Sequence, residues 1–321
     1  MRVLSICVLG GSGFVGTQLV SRLIRDGHRV RVLTRNRDRH RELLVLPGLE
    51  LVDADVHDPA VLGESLRGRD VVVNLVGILN ERGRRGAGFR RAHAELARKL
   101  TGACRSGGVP RLLQMSALGA DEAGPSHYLR SKGQAERIVR EDSGAVAWTI
   151  FRPSLIFGAE DSLINRFASL LGLLPVLPLA RGGARFAPVH VGDVVEAMAR
   201  SLADASTHGA TLELCGPEVV TLAELVRYVA RVQGLRRCVF GLPDAAGWLQ
   251  AAVMEFVPGK PLSLDNFRSL GVDSLCSVNG LARLGIRPSS LAAIVPSFLG
   301  PGQRAAQLSL LRRRGGAHGG T

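Results

Sequence analysis

A chain of 321 residues that is 46% hydrophobic and 21% charged has apolar material for one full-sized core and a smaller appended unit, which excludes disorder along most of its length. Its net charge of +13 is carried mainly by arginine, with three lysines in all, and is scattered; it favours anionic partners such as nucleotides, acidic protein faces or lipid headgroups, while no basic stretch carries the interleaved aromatics of a nucleic-acid module. Cysteines 7, 104, 215, 238 and 276 form no CxxC pair and read as reduced, buried thiols, and no apolar run reaches the ~20 residues of a membrane span, so a cytoplasmic chain without a transmembrane helix is expected.

Residues 3–9 form the first apolar run, and Gly10, Ser12, Gly13, Phe14, Val15 and Gly16 follow as a strand-to-helix turn. One glycine serves the bend, one a close approach of backbone to a pyrophosphate, and one the contact between helix and strand, with the helix N-terminus facing the phosphates. The next strand, 29–34, completes a βαβ unit. At its end stand Arg35 and Arg37 in place of the acidic residue that takes ribose hydroxyls. A guanidinium pairs a 2′-phosphate bidentately, so NADP(H) is expected in preference to NAD(H). The spacing GxxGxxG resembles the short-chain dehydrogenase/reductase superfamily. That resemblance implies that Asp55 and Val56, after the third strand, and Asn74 to Gly77, after the fourth, wall the adenine and ribose.

Further runs at 49–52, 71–76, 112–115 and 147–151 alternate with amphipathic stretches at 59–66, 89–105 and 131–143. The expected fold class is α/β, a doubly wound parallel sheet with a smaller C-terminal lobe. Residues 1–153 form the nucleotide-binding domain, to which 188–203 return. The returning segment carries a helix at 194–202; residues 154–187 and 204–300 form the smaller lobe, with a helix at 221–233 and a strand at 211–215, and 301–321 form a disordered tail.

Tyr128 and Lys132 stand at i and i+4, on one face of a helix. In the superfamily this pair lets the ammonium lower the tyrosine pKa and hold the nicotinamide ribose while the phenol exchanges a proton with the substrate oxygen. The resemblance makes Ser116, at the end of the fifth strand, the third member that polarises a carbonyl. The hydroxyl that extended enzymes of this superfamily often carry two residues later is Leu118 here. It also sets Pro153 beside the nicotinamide and Asp193 at the cap of the following helix. His190 reads as structural, His93 as a surface or packing residue, and no histidine has metal-ligand spacing.

Tyr128-Leu129-Arg130-Ser131-Lys132, then Pro153-Ser154-Leu155-Ile156-Phe157-Gly158-Ala159-Glu160-Asp161, then Asn165-Arg166-Phe167-Ala168, resemble the family of the short-chain-dehydrogenase-fold accessory subunit of respiratory complex I and its bacterial relatives. The resemblance implies an atypical extended member that holds NADPH, with a membrane-associated respiratory complex or quinone-pathway proteins as partners and a peripheral place at the inner membrane. Two functions follow from these residues. One is a structural or redox role linked to quinone or membrane metabolism, with the apolar stretch 239–260 facing a partner or folding as a lid. The other is an active NADPH-dependent oxidoreductase or epimerase/dehydratase. For it, Arg166, Arg181 and Arg185 suit a nucleotide-sugar diphosphate, whereas the leucine-rich stretch 170–177 suits a lipidic or quinone-like ligand.

Overall fold

The computed structural model describes residues 2–81, 83–257 and 260–300; the tail expected at 301–321 lies outside them. Strand β1 (Ser5–Leu9) is followed by α1 (Phe14–Arg25), β2 (Arg29–Thr34), a 3₁₀ stretch (Arg37–Val45), β3 (Leu49–Asp53), α2 (Pro59–Leu66) and β4 (Val71–Asn74). Helix α3 (Ala87–Arg90) continues through a π turn (Arg91–Glu95) into α4 (Leu96–Ser106), and β5 (Arg111–Met115), α5 (His127–Asp142) and β6 (Ala147–Pro153) complete the first half. Beyond it come β7 (Ile156–Phe157), α6 (Ser162–Leu173), β8 (Val176–Leu179), β9 (Arg185–Phe186), β10 (Val189–His190), α7 (Val191–Arg200), β11 (Ala210–Leu214), β12 (Val220–Thr221), α8 (Leu222–Val232), β13 (Cys238–Gly241), α9 (Asp244–Met254) and α10 (Leu264–Ser269).

Seven strands make one parallel sheet in the order β11-β6-β5-β4-β1-β2-β3. Because β1 and β4 are buried almost throughout, they have no solvent-facing side, which is why Ile6 to Leu9 and Val71 to Val73 read as continuous apolar runs with no polar alternation. Side-chain alternation splits the core: Ile6 and Val8 join the layer containing Leu19, Leu23 and Val194, and Cys7 and Leu9 join the layer containing Leu62, Leu100 and Ile138. The chain runs from β1 outward to β3 and then returns to pair β4 on the other side of β1, so the order reverses between β1 and β4. In open α/β sheets a ligand binds outside the strand ends at such a reversal. A third core, with Ile164, Leu171, Leu177, Leu225 and Val229, belongs to the smaller lobe.

Three expectations are corrected. The strand expected in the smaller lobe instead adds to the edge of the main sheet, Ala210 to Leu214 pairing Thr149 to Pro153 of β6, because its alternate residues Leu212 and Leu214 complete the layer over Val194. Cys215 and Cys276, 61 residues apart, form a disulfide, and Cys238 is exposed; only Cys7 and Cys104 are buried thiols, and burial pushes each up to about 12. Asp193 does not cap its helix: its carboxylate accepts from the Ser289 backbone N–H at 2.7 Å and hydroxyl at 3.0 Å. Among the described residues no helix is long and apolar enough to cross a membrane.

Candidate active site and nucleotide cradle

At the reversal the backbone is packed too tightly for side chains. Gly10 has φ +76°, and a Cβ there would lie 3.0 Å from the Leu75 carbonyl carbon and the Val76 nitrogen. A Cβ on Gly16 would lie 2.3 Å from the Gly10 oxygen, so glycine is required for α1 to approach β1. Gly13 is the N-cap of α1 and offers no side-chain cap. The first-turn N–H groups of Phe14, Val15 and Gly16 therefore keep their donor capacity for an anion, and the open turn fits a dinucleotide pyrophosphate. Gly158 closes beside this turn, where its Cβ would meet Phe14 at 3.1 Å.

Arg35 is exposed just past the end of β2, and among the described residues its side chain has no ion pair. Its neighbour Arg37 instead gives its backbone N–H to Asp53 at 2.6 Å. Asp55 folds back on its own turn by accepting from the His57 N–H at 2.9 Å, and Val56 packs against the buried layer of Leu33 and Leu62. Gly77 lies where a Cβ would come within 3.4 Å of the Lys132 Nζ and 3.6 Å of the His93 Nε2.

Helix α5 carries the titratable pair. Ser126 caps it by accepting from the Leu129 N–H at 3.1 Å. Asp265 of α10 accepts from the N–H groups of His127 at 2.7 Å and Tyr128 at 3.0 Å. A carboxylate at a helix N-terminus satisfies orphan donors and complements the dipole, so the smaller lobe fixes the first turn of α5. Lys132 is 4% exposed and donates to the Met115 carbonyl at 3.2 Å. Burial lowers its pKa to about 8, with Glu136 one turn on opposing the shift. The expected lowering of the Tyr128 pKa by Lys132 is not found: burial pushes the phenol up to about 12, and its hydroxyl makes no hydrogen bond with the described residues.

His93 is neither on the surface nor a simple packing residue. It sits in the π turn, 2% exposed, with its ring edge-on to Tyr128 at 5.7 Å between centroids. Ser131 donates its hydroxyl to the Tyr128 carbonyl at 2.8 Å, so its oxygen accepts from His93 Nδ1 at 2.8 Å, and His93 Nε2 accepts from the Ile78 N–H at 3.3 Å. Both nitrogens are thereby assigned in the neutral ring. Burial, then the Lys132 charge, push its pKa down to about 2, so it stays uncharged beside the ammonium. Extra backbone width in a π turn often marks a functional position, and here it brings an imidazole to both the β4 loop and α5.

Ser116 lies at the end of β5 as expected, but its hydroxyl donates to Glu136 Oε1 at 2.5 Å. That buried carboxylate also accepts from Arg152 at 2.7 and 2.6 Å and from Arg140 at 2.7 Å. Pro153 ends β6, with its carbonyl accepting from the Leu118 N–H at 3.0 Å. A cavity of about 190 Å³ lies on the far side of Phe89, lined among others by Phe89, His127, Asp265, Arg84 and Lys260 but not by Tyr128 itself; Phe89 meets the Tyr128 ring edge-on at 6.0 Å. The leucine-rich stretch does not line it: Leu171 and Leu177 are core, and Leu173, Leu174 and Val176 are exposed. Of the three arginines considered for a diphosphate, Arg181 pairs Asp244 at 3.1 Å, Arg185 pairs Asp273 at 2.6 Å, and Arg166 donates to the Pro261 carbonyl at 3.1 Å.

Sequence reasoning missed His93, Phe89, Glu136 and Asp265 as parts of this site. The first two carried a signal, since an aromatic pair at i and i+4 faces one way on a helix, as do Lys132 and Glu136. Asp265 carried none, because its partner is 138 residues away.

A family profile described as NAD(P)H-binding matches residues 10–163. The chain is 33% identical to the mitochondrial NADH dehydrogenase [ubiquinone] 1 alpha subcomplex subunit 9 of Arabidopsis thaliana, over 91% of this chain and 76% of the relative. It is 31% identical to the ceramide reductase of Caulobacter vibrioides over 74% of each. In fold it resembles an NADPH-dependent quinone oxidoreductase of Escherichia coli solved with NADPH, with a TM-score of 0.73 and 20% identity over 92% of this chain and 99% of the other.

Proposed function

We propose that this chain, which belongs to the NAD(P)-binding short-chain dehydrogenase/reductase family together with complex I alpha-subcomplex subunit 9 and ceramide reductase, is an NADP(H)-dependent reductase of an apolar carbonyl compound or quinone that works beside a membrane and its respiratory or quinone-pathway proteins. The observation that carries this reading is the Tyr128 hydroxyl, unpartnered among the described residues, held protonated by burial, and one helical turn from a buried ammonium. A phenol that stays protonated at neutral pH is set to give a proton, which is the need of reduction rather than oxidation. NADPH, when bound, would supply a hydride; Tyr128 gives the proton that completes reduction of a ketone C=O to CH–OH or of a quinone to its hydroquinone.

The remaining roles belong to the chain's own groups. The Lys132 ammonium stabilises the phenolate left on Tyr128 and holds a ribose hydroxyl against Gly77. Neutral His93 adds no competing charge. The α1 N-terminus holds the pyrophosphate, Arg35 favours the 2′-phosphate of NADP(H), and Asp55, Val56 and Pro153 enclose the two ends of the dinucleotide. Ser116 polarises a substrate oxygen only if its hydroxyl leaves Glu136, so proton delivery rests on Tyr128. Because Arg181 and Arg185 are engaged in ion pairs, a nucleotide-sugar diphosphate is the less favoured substrate. The tied hydroxyl of Ser116 favours a second reading, in which the nucleotide is a structural cofactor.

One experiment separates them. The protein is purified with its retained nucleotide, that nucleotide is identified, and reduced nicotinamide absorbance is followed on adding a short-chain quinone or a long-chain ketone, with Tyr128→Phe alongside. Oxidation that requires Tyr128 is expected. NADPH that stays reduced with every acceptor rejects the reductase reading in favour of the structural one.

A further inference from the structure

Helix α9 is built the wrong way round for a globular surface. Its single uncharged polar side chain, Gln250, points inward, accepting from the Ala180 N–H at 2.9 Å and donating to the Pro178 carbonyl at 2.9 Å. Its contact with the lobe is made by small residues: Gly247, where a Cβ would meet Phe267 at 3.1 Å, and Ala251, fully buried one turn on. The opposite face and the turn after it put Trp248, Leu249, Val253 and Phe256 into solvent at 51, 59, 59 and 77% exposure. At 100° per residue Trp248, Leu249 and Val253 fall within one side of the helix, and Phe256 follows in the turn after it. A surface helix ordinarily does the reverse, and a contiguous exposed patch of this kind marks a site of contact.

The charges around the patch say what covers it. The two acidic residues bounding the helix are neutralised: Asp244 pairs Arg181 at 3.1 Å, and Glu255, nearly buried, pairs Lys260 at 3.4 Å and Arg84 at 3.8 Å. Arg84 also lies over the Phe256 ring at 4.8 Å from its centroid. These pairs leave one positive charge in excess, at the Arg84 and Lys260 end of the helix, and the exposed face between Asp244 and Glu255 carries no charge. Tryptophan and phenylalanine on an apolar face with arginine and lysine at its edge is the composition of a helix lying in the plane of a membrane surface. Eleven residues span only about 16 Å, which suits lying on a bilayer and not crossing one. A second copy packed face to face would bring two cationic rims together, which opposes self-association.

We propose that α9 docks this protein on an anionic phospholipid bilayer, with Trp248, Leu249, Val253 and Phe256 in the interfacial layer and Arg84 and Lys260 at the headgroups. This deepens the membrane-peripheral part of the reading above, but it stands on α9 and not on turnover. Arg84 and Lys260 also line the cavity that Phe89 separates from Tyr128, so docking brings that cavity to the lipid surface, where a long-chain carbonyl compound or quinone resides.

The test floats the full chain with vesicles of phosphatidylcholine alone and of phosphatidylcholine with phosphatidylglycerol, and reads Trp248 emission in a Trp148→Phe background. A cation at an anionic surface is worth about fivefold in affinity, and because Arg84 and Lys260 share the single carboxylate of Glu255, their net charge gives roughly fivefold tighter binding to the anionic vesicles. Trp248 emission shifts to the blue and is quenched by brominated lipid chains. Trp248→Glu and Phe256→Glu each lower vesicle binding at least tenfold while nucleotide binding is unchanged. Should either variant misfold, quenching in the unaltered surface still decides. Absence of binding to both vesicles, binding that survives both glutamates, or dimerisation that the glutamates abolish overturns the proposal. Tyr128→Phe docks like the parent; docking without turnover refutes the reductase reading alone.

Discussion

Lys132→Met isolates what the buried ammonium costs and what it does. Burial lowers the Lys132 pKa from 10.5 to about 8, and at 1.36 kcal/mol per unit the charged form is disfavoured in the folded protein by about 3 kcal/mol. That destabilisation is fully present below pH 8, where the folded and unfolded chains both hold the proton. It is relieved as pH rises from 8 to 10.5, where only the unfolded chain still holds it. Methionine keeps the shape and removes the charge, while the Met115 carbonyl loses a donor at a cost of ~1 kcal/mol. The nucleotide-free variant should therefore be more stable than the parent by about 2 kcal/mol near neutral pH, or roughly 4 °C in Tm for a chain of this size. Near pH 9.5 the parent has shed most of the penalty, and the difference should fall to about zero. The assay is thermal unfolding of both nucleotide-free proteins at the two pH values, repeated with saturating NADPH, where the parent should overtake the variant because only it holds the ribose. A nucleotide-free variant less stable than the parent at neutral pH, or a gap independent of pH, would show that the ammonium is not held at a desolvation cost.

Other substitutions test the remaining parts. Tyr128→Phe should lower carbonyl reduction at least a hundredfold while leaving NADPH affinity and Tm nearly unchanged, since the hydroxyl has no partner to lose among the described residues. Arg35→Asp should weaken NADP(H) by about ten- to a hundredfold and leave NAD(H) equal or tighter, as isothermal titration would measure. Gly16→Ala should cost ~3 kcal/mol or more and abolish nucleotide binding, because its Cβ meets only backbone, the Gly10 oxygen at 2.3 Å and Gly11 at 2.6 Å. Turnover should decline as pH rises through about 8, where Lys132 loses its charge, and show no loss between pH 5 and 7 from His93, whose pKa is about 2; an acid limb that disappears in His93→Gln would contradict its neutral assignment.

The main sheet and the nucleotide turn were legible because their signals are local. Val71 to Val73 read as a parallel strand from their own side chains, and Gly10, Gly13 and Gly16 declare the turn by spacing alone. What was not legible depends on groups that meet across the fold. Nothing near Cys215 announces Cys276, and nothing near Tyr128 announces Asp265. The strand expected at 211–215, and found at Ala210–Leu214, reads as part of the smaller lobe because its position at the sheet edge is decided by the layer beneath it, which includes Leu281 and Leu284 from far along the chain. The apolar stretch 239–260 was legible as apolar but not as inside or outside. That was decided by Gly247 and Ala251, whose small size lets the helix lie on Ala180 and Phe267 and leaves its large residues facing out.

The clasp of Ser116, Glu136, Arg152 and Arg140 has a consequence for descent. One carboxylate joins the ends of two neighbouring strands to the helix that carries Tyr128 and Lys132, so replacing Glu136 would strand the buried ends of its partners, and replacing Ser116 would take a hydrogen bond from a buried charge, whether or not any substrate is turned over. Selection for folding alone is then enough to retain a serine in the place where a catalytic one is sought. In a lineage that kept the nucleotide and gave up the reaction, this serine would persist unchanged, and its presence in a relative is a record of architecture before it is a record of chemistry.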